Sequence, residues 1–240
     1  MPVIWGWPTH TPLIAFVNDD VDFDAGWLDS IVDSFHHRAE ADVMGGNTIP
    51  LFPGQRPLWL QDNLFSWYSC STLGENSRWM NEQEFPYGVN ISFRRAVFDK
   101  TEGFSSKLGR YGDNLLSGEE TELCKRLKAQ GCLFWYCAEA LLHHRIPPER
   151  LSPAWLLQRV YWQGISDSIS ERLPASAGAP VNRTSIASLA RATLSACTGD
   201  FLSPRRLWWH LRSRSIQGRI AFAYLRGHLA AKSRWRLGPG

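Results

Sequence analysis

Cysteine is scarce in this 240-residue chain, and what there is forms no motif. Cys70, Cys124, Cys132, Cys137 and Cys197 are odd in number and contain no CxxC, which argues against a disulfide framework or a zinc ribbon and fits a reducing cytoplasm. Long apolar runs are missing too. Leu13–Val17 is short, and Arg cuts the C-terminal apolar stretches every few positions, so nothing approaches the roughly 18 residues of a membrane span. Met1-Pro-Val-Ile-Trp-Gly-Trp-Pro8 has neither a basic n-region nor an h-region, and no secretory leader is expected. No internal repeat is present. Acid is nearly absent from one region: residues 183–240 hold 11 Lys/Arg against Asp200 alone, whereas residues 1–182 hold 15 Lys/Arg against 22 Asp/Glu. The body is acidic and the tail basic. A hydrophobic fraction of 44% excludes a disordered, collagen-like or coiled-coil chain and provides for a sizeable core.

What is there reads first as β-α-β. Leu13-Ile-Ala-Phe-Val17 has the pattern of a fully buried strand and stops at Asn18-Asp19-Asp20. After Asp24, a candidate N-cap, Trp27, Leu28, Ile31, Val32 and Phe35 recur at helical spacing, and Asp42-Val-Met-Gly-Gly46 reads as a second strand. Residues 47–85 are rich in Pro, Gly, Asn and Trp, predicting long loops or a lid. Val89–Phe93 is a strand, a helix marked by Leu123 and Leu127 ends at Gly131, and Cys132–Cys137 is an aromatic strand. Another helix runs from Trp155 to about Ile169, and a Pro/Ala/Gly/Ser stretch places a linker at 174–182. In the basic tail, 183–240, Leu and Trp interleave with Arg at roughly helical intervals.

Three clusters carry chemistry. Asp19, Asp20, Asp22 and Asp24 follow a buried strand, where open α/β sheets bind ligands, and hard oxygen donors suit Mg²⁺ or Mn²⁺; an acidic turn with an N-cap is the alternative. Glu119, Glu120 and Glu122 open a helix. One could serve as general base, although Ser117-Gly-Glu-Glu120 also fits a capping box. His143 and His144, near the end of a strand-like run, could ligate a metal or contact phosphate, or belong to a loop. Arg94, Arg95 and Arg159 could neutralise phosphate or lie on the surface.

The order of these signals resembles family 2 glycosyltransferases of the GT-A fold over roughly residues 13–173. The matching run is Leu13–Val21 with its DxD-type motif, Gly26-Trp-Leu, Val43–Gly46, Pro57–Leu60 and Tyr87–Arg95. It continues through Gly103-Phe104, Leu108–Arg110, Ser117–Leu123, Leu127, Gly131 and His143–Leu151. The resemblance implies a Rossmann-like, mostly parallel sheet flanked by helices, and inverting transfer of a sugar from a nucleotide-sugar to a hydroxyl acceptor, a lipid-linked or cell-surface glycan. By the same resemblance Asp20 and His144 hold Mg²⁺ or Mn²⁺, and Glu120, with Glu119, supplies catalysis. Asn18, Asp19, Asn90, Arg94, Arg159 and Trp162 contact the donor, Asn18 standing where many relatives have Asp. Choice of sugar and acceptor falls to residues 47–85 and to strands that family members carry ahead of the DxD motif. Here Met1–Pro12 match nothing, so an N-terminally truncated domain is expected.

Two other classes fit parts of the sequence. A non-catalytic remnant could bind an anionic membrane surface or a partner through residues 183–240, a tail that a cytoplasmic enzyme working peripherally at the inner membrane face would also use. Nucleic-acid binding by Arg/Trp-rich helices is disfavoured by the acidic body.

Overall fold

The computed structural model describes residues 11–71, 73–110, 112, 114–173 and 204–235, with side chains of the last helix over 216–233. They form two compact units: one takes the chain up to Gly109 together with Glu119–Pro148, the other Arg110–Gly118 with the chain from Glu149 onward. The expected linker at 174–182 lies outside the described residues, as does the first part of the basic tail.

In the first unit, six strands form one sheet: β1 (Leu13–Val17), β2 (Val21–Phe23), β3 (Val43–Leu51), β4 (Arg78–Trp79), β5 (Asn90–Arg94) and β6 (Phe134–Arg145). Their order is β1-β5-β3-β6-β2, with β4 on β6. Alternation along the strands sends successive residues to opposite faces. Val43, Ile91, Phe93 and Phe134 meet Leu123 and Leu127 of α2 (Glu119–Ala129) on one side. Met44, Trp135 and Cys137 meet Ile31 and Phe35 of α1 (Trp27–His37) on the other, making a helix–sheet–helix sandwich. Each fully buried side chain of this kind contributes about 1.5–3 kcal/mol.

The mostly parallel sheet expected from the sequence is not what forms. Among the described residues only β3 and β6 pair in parallel; the pairs β1–β5, β3–β5, β2–β6 and β4–β6 are antiparallel. The β-α-β reading of β1, α1 and β3 holds for direction but not for adjacency, because β5 inserts between the two strands, antiparallel to both. β1 is also an edge strand among the described residues, with Ala15 and Val17 exposed, rather than fully buried.

Other local expectations shift as well. Asp24 does not cap α1: Gly26 holds the N-cap position, and the Asp24 carboxylate instead accepts from Gly26 N in the preceding turn. The 47–85 segment is more ordered than a lid. β3 continues through Leu51 after an irregularity at Gly46/Asn47, and a 3-10 turn covers Asp62–Tyr68. Pro50 is tolerated because beyond Gly45 β3 pairs with β6 alone, so its missing N–H interrupts no second ladder. The helix end at Gly131 forms as read: its φ of +84 suits glycine, and Cys132 N reaches back to Leu127 O at 3.0 Å.

In the second unit, α3 (Pro153–Ser170) begins at Ser152, whose hydroxyl accepts from Trp155 N at 3.2 Å. It packs along α4 (Pro204–Trp235), and glycines permit the approach. A Cβ on Gly164 would collide with Tyr224 O, and one on Gly227 with Tyr161 O. Asp167 accepts from the Tyr224 hydroxyl at 2.7 Å across the same seam.

Candidate functional site

β1, β3 and β6 run the same way, because β5 is antiparallel to both β1 and β3 while β3 and β6 are parallel. Their carboxyl ends therefore share one end of the sheet. There β1 gives way to Asn18, Asp19 and Asp20, β5 begins at Asn90 opposite Val17, and β6 carries His144 opposite Val21. The far end of β5 carries Arg94 opposite Leu13.

Asp20 and His144 are brought together. His144 Nε2 lies 3.3 Å from Asp20 Oδ1, with the His144 side chain only 3% exposed. The ring's other nitrogen, Nδ1, is 2.8 Å from the Tyr68 carbonyl, which can only accept, so Nδ1 carries a proton. Nε2 is then the ring nitrogen that faces the carboxylate oxygen. A carboxylate oxygen and a ring nitrogen at that spacing could serve as neighbouring ligands of one cation, since bonds near 2.1 Å in octahedral geometry set adjacent ligand atoms about 3 Å apart. The carbonyl-to-imidazole bond is the outer support that orients a ligating histidine. Among the described residues no three His, Cys, Asp or Glu side chains converge on a metal position. A two-residue hold suits a cation that keeps waters and substrate phosphates as its remaining ligands.

The other acidic residues of the first cluster are engaged elsewhere or exposed. Arg145 Nε donates to Asp22 Oδ2 at 2.9 Å, linking β2 to β6. Asn18 and Asp19 are exposed at the strand end.

The three glutamates of α2 part company. Glu122 is buried and paired to Arg126 at 2.8 Å, and Arg126 also holds Thr101 Oγ1 and the Gly103 carbonyl, so this pair is structural. Glu120 lies over Gly88: a Cβ there would overlap its carboxylate, and Gly88 leads directly into β5 at the Asn90 end. Glu119 lies beside Gly109, with its Oε2 buried and lacking a hydrogen-bond partner among the described residues. The capping box read from Ser117 does not form. The helix starts at Glu119, leaving Gly118 (φ +97) before it, while the Ser117 hydroxyl lies 3.3 Å from Gln163 Oε1 and donates to it.

Of the remaining candidates in the first unit, Asn90 lies at this end and Arg94 at the other, and both make structural hydrogen bonds. Asn90 is buried, donates to Asn47 O and Ala140 O, each at 2.9 Å, and accepts from Trp27 Nε1 at 3.0 Å. It ties strands and α1 together. Arg94, at the opposite end, closes the C-terminus of α1, donating to Ala41 O at 2.8 Å and Phe35 O at 2.7 Å. Arg159 and Trp162 stand on α3, in the second unit. Two contributors escaped sequence reasoning, the Tyr68 carbonyl and Gly88. The first is backbone and has no residue signature; the second sat within the Tyr87–Arg95 motif as an ordinary loop glycine.

The fold is a mixed α/β sheet flanked by helices, with Asn18–Asp20, Asn90 and His144 brought to one end of it. The chain is 28% identical over 162 residues to the glucosyl-dolichyl phosphate glucuronosyltransferase of Haloferax volcanii, covering 67% of this chain and 51% of that protein. It is 24% identical over 163 residues to the succinoglycan biosynthesis protein ExoM of Rhizobium meliloti, covering 63% and 45%. No family model matches the chain. These similarities support a glycosyltransferase, and the chain spans about half the length of the curated relatives it matches.

Proposed function

We propose that this chain supplies the metal and acceptor side of an inverting glycosyltransferase of the family 2, GT-A type, which moves a sugar from a nucleotide-sugar to a hydroxyl of a lipid-linked saccharide. The observation that carries the reading is the Asp20–His144 pair, a carboxylate oxygen and a ring nitrogen 3.3 Å apart with the imidazole oriented by Tyr68 O. The lipid-linked acceptor follows the printed name of the Haloferax volcanii relative.

In this reading Asp20 and His144 hold Mn²⁺ or Mg²⁺, and the mixed oxygen and nitrogen donors favour Mn²⁺. Such a cation, when bound, offsets charge on the departing diphosphate. Asn18 and Asp19, exposed beside Asp20, meet the donor's ribose and phosphates. Glu120 takes the proton of the acceptor hydroxyl as its oxygen bonds to the anomeric carbon, and the bond to the diphosphate breaks with its electron pair leaving on that group. A single displacement inverts the centre. Glu120 contributes about 10²–10⁴-fold as general base. Glu119 is the rival for the role, and Glu119→Gln against Glu120→Gln separates them: the larger fall in kcat marks the base. A lipid-borne acceptor also requires the enzyme to work at a membrane surface.

Two measurements test the proposal: transfer from a panel of labelled nucleotide-sugars to a polyisoprenyl-phosphate-linked sugar, and Mn²⁺ titration followed by electron paramagnetic resonance. Wild type is expected to bind Mn²⁺ and transfer, while Asp20→Ala and His144→Ala lose both. Transfer that survives in Asp20→Ala, or a wild type that neither binds Mn²⁺ nor uses any nucleotide-sugar, overturns it.

A further inference from the structure

α4 is apolar on two sides. Ile220, Ala221, Tyr224 and Ala231 are buried, facing α3. On the opposite arc Phe222, Leu225 and Leu229 are 70%, 41% and 61% exposed, spaced so that all three line one stripe. Arg219 and Arg226 lie along one flank and Lys232 along the other, all exposed. Pro204–Trp235 contains no Asp or Glu, so no acid offsets these cations within the helix. Beside the stripe, α3 and α4 line an open cavity of about 620 Å³ to which Arg219, Phe222, Ala223 and Arg226 of α4 and Leu157 and Tyr161 of α3 contribute.

We infer that this outer face of α4 docks on an anionic lipid bilayer, inserting Phe222, Leu225 and Leu229 among the acyl chains while Arg219, Arg226 and Lys232 engage headgroup phosphates. Charge chooses the occupant. A helix with a bare apolar stripe between cations, and no acid, complements a negatively charged interface. A nucleic acid would leave the stripe unused. The cavity places the two arginines beside Leu157, Phe222 and Ala223, so that phosphate and apolar chain could be met side by side. The biological purpose rests on the lipid-borne acceptor proposed above, but the contact itself does not.

The full chain is floated with vesicles of phosphatidylcholine alone or with about a third phosphatidylglycerol, with no nucleotide-sugar present, so a failure here leaves the transfer assay untouched. Wild type is expected to float with the anionic vesicles and not the neutral ones. Phe222→Ser with Leu229→Ser, both at exposed positions, should weaken binding about tenfold or more, as should Arg219→Glu with Arg226→Glu. Val32→Ser, at a 48% exposed position on α1 of the other unit, should leave flotation unchanged. Wild type that stays with the soluble fraction, or binding that the Phe222/Leu229 variant retains, overturns the inference. A wild-type dimer that this variant converts to a monomer assigns the stripe to a second copy instead, and an oligonucleotide shift that vesicles cannot compete assigns the basic flanks to nucleic acid. Either result also overturns it.

Discussion

At Gly88 the absence of a single carbon decides where Glu120 puts its carboxylate. The backbone there does not need glycine, since φ lies outside the left-handed region, and the atoms nearest to an alanine Cβ are those of the Glu120 side chain. Gly88→Ala is expected to lower kcat about tenfold or more, with KM and the melting temperature little changed, because a flexible carboxylate yields where a packed core would not. Steady-state kinetics beside thermal denaturation separate this from a folding defect. Arg126 gives the contrasting case. Removing it in Arg126→Ala strands the buried Glu122 charge, and the expected loss is about 3–5 kcal/mol in chemical denaturation. Two glutamates on one helical turn thus answer to different measurements, one to kinetics and one to stability.

Among the elements, α3 and α4 meet where Gly164 and Gly227 leave no room for a side chain. Gly227→Leu is expected to force the helices apart at a cost of about 1–3 kcal/mol, read as a lower melting temperature of the second unit, with Mn²⁺ binding at Asp20 and His144 unchanged. Helices were legible in the sequence because their apolar spacing is local: Ile31 and Phe35, or Leu123 and Leu127, fall on one face whatever surrounds them. Strands were legible as segments but not as neighbours. The residues of β1 and β3 carry no mark that β5 comes between them, since pairing is set by the chain's return after 47–89 and not by composition. The same limit governed the site. Asp20 and His144 were readable in two separate clusters that the family resemblance joins, but the 3.3 Å between carboxylate oxygen and ring nitrogen depends on Val21 pairing with His144 across β2 and β6. Asn90 and Arg94 lie in the same motif, and their hydrogen bonds join strands and helix, which spacing alone cannot distinguish from donor contacts.

For the whole molecule, charge sets the response to acid. Glu84 is held below the usual carboxylate range, chiefly by its bond to Arg78, and Glu139 likewise by the Ser77 hydroxyl. A depressed carboxyl pKa stabilises the fold above the unfolded value, near 4.3, and that contribution is lost as pH falls through the folded value. Denaturation midpoints measured across pH 2–7 are therefore expected to decline below about pH 4.3, and the gap between wild type and Glu84→Gln to close over the same range. Rising pH in the neutral range leaves this contribution intact.

The hydrogen bond that His144 Nδ1 donates to the Tyr68 carbonyl joins the segment expected to choose the acceptor to the imidazole expected to hold the cation. Tyr68 ends a 3-10 turn, Ser69 follows at φ 58, and Ser71 N then bonds Thr48 O on β3 at 2.9 Å. The turn is held on both sides of the carbonyl, since upstream Leu60 and Leu64 are buried and Cys70 N bonds Phe65 O. An insertion between Tyr68 and Ser71 would withdraw the carbonyl that orients the His144 ring, so the length of this short connection, more than its composition, bears on the proposed cation site.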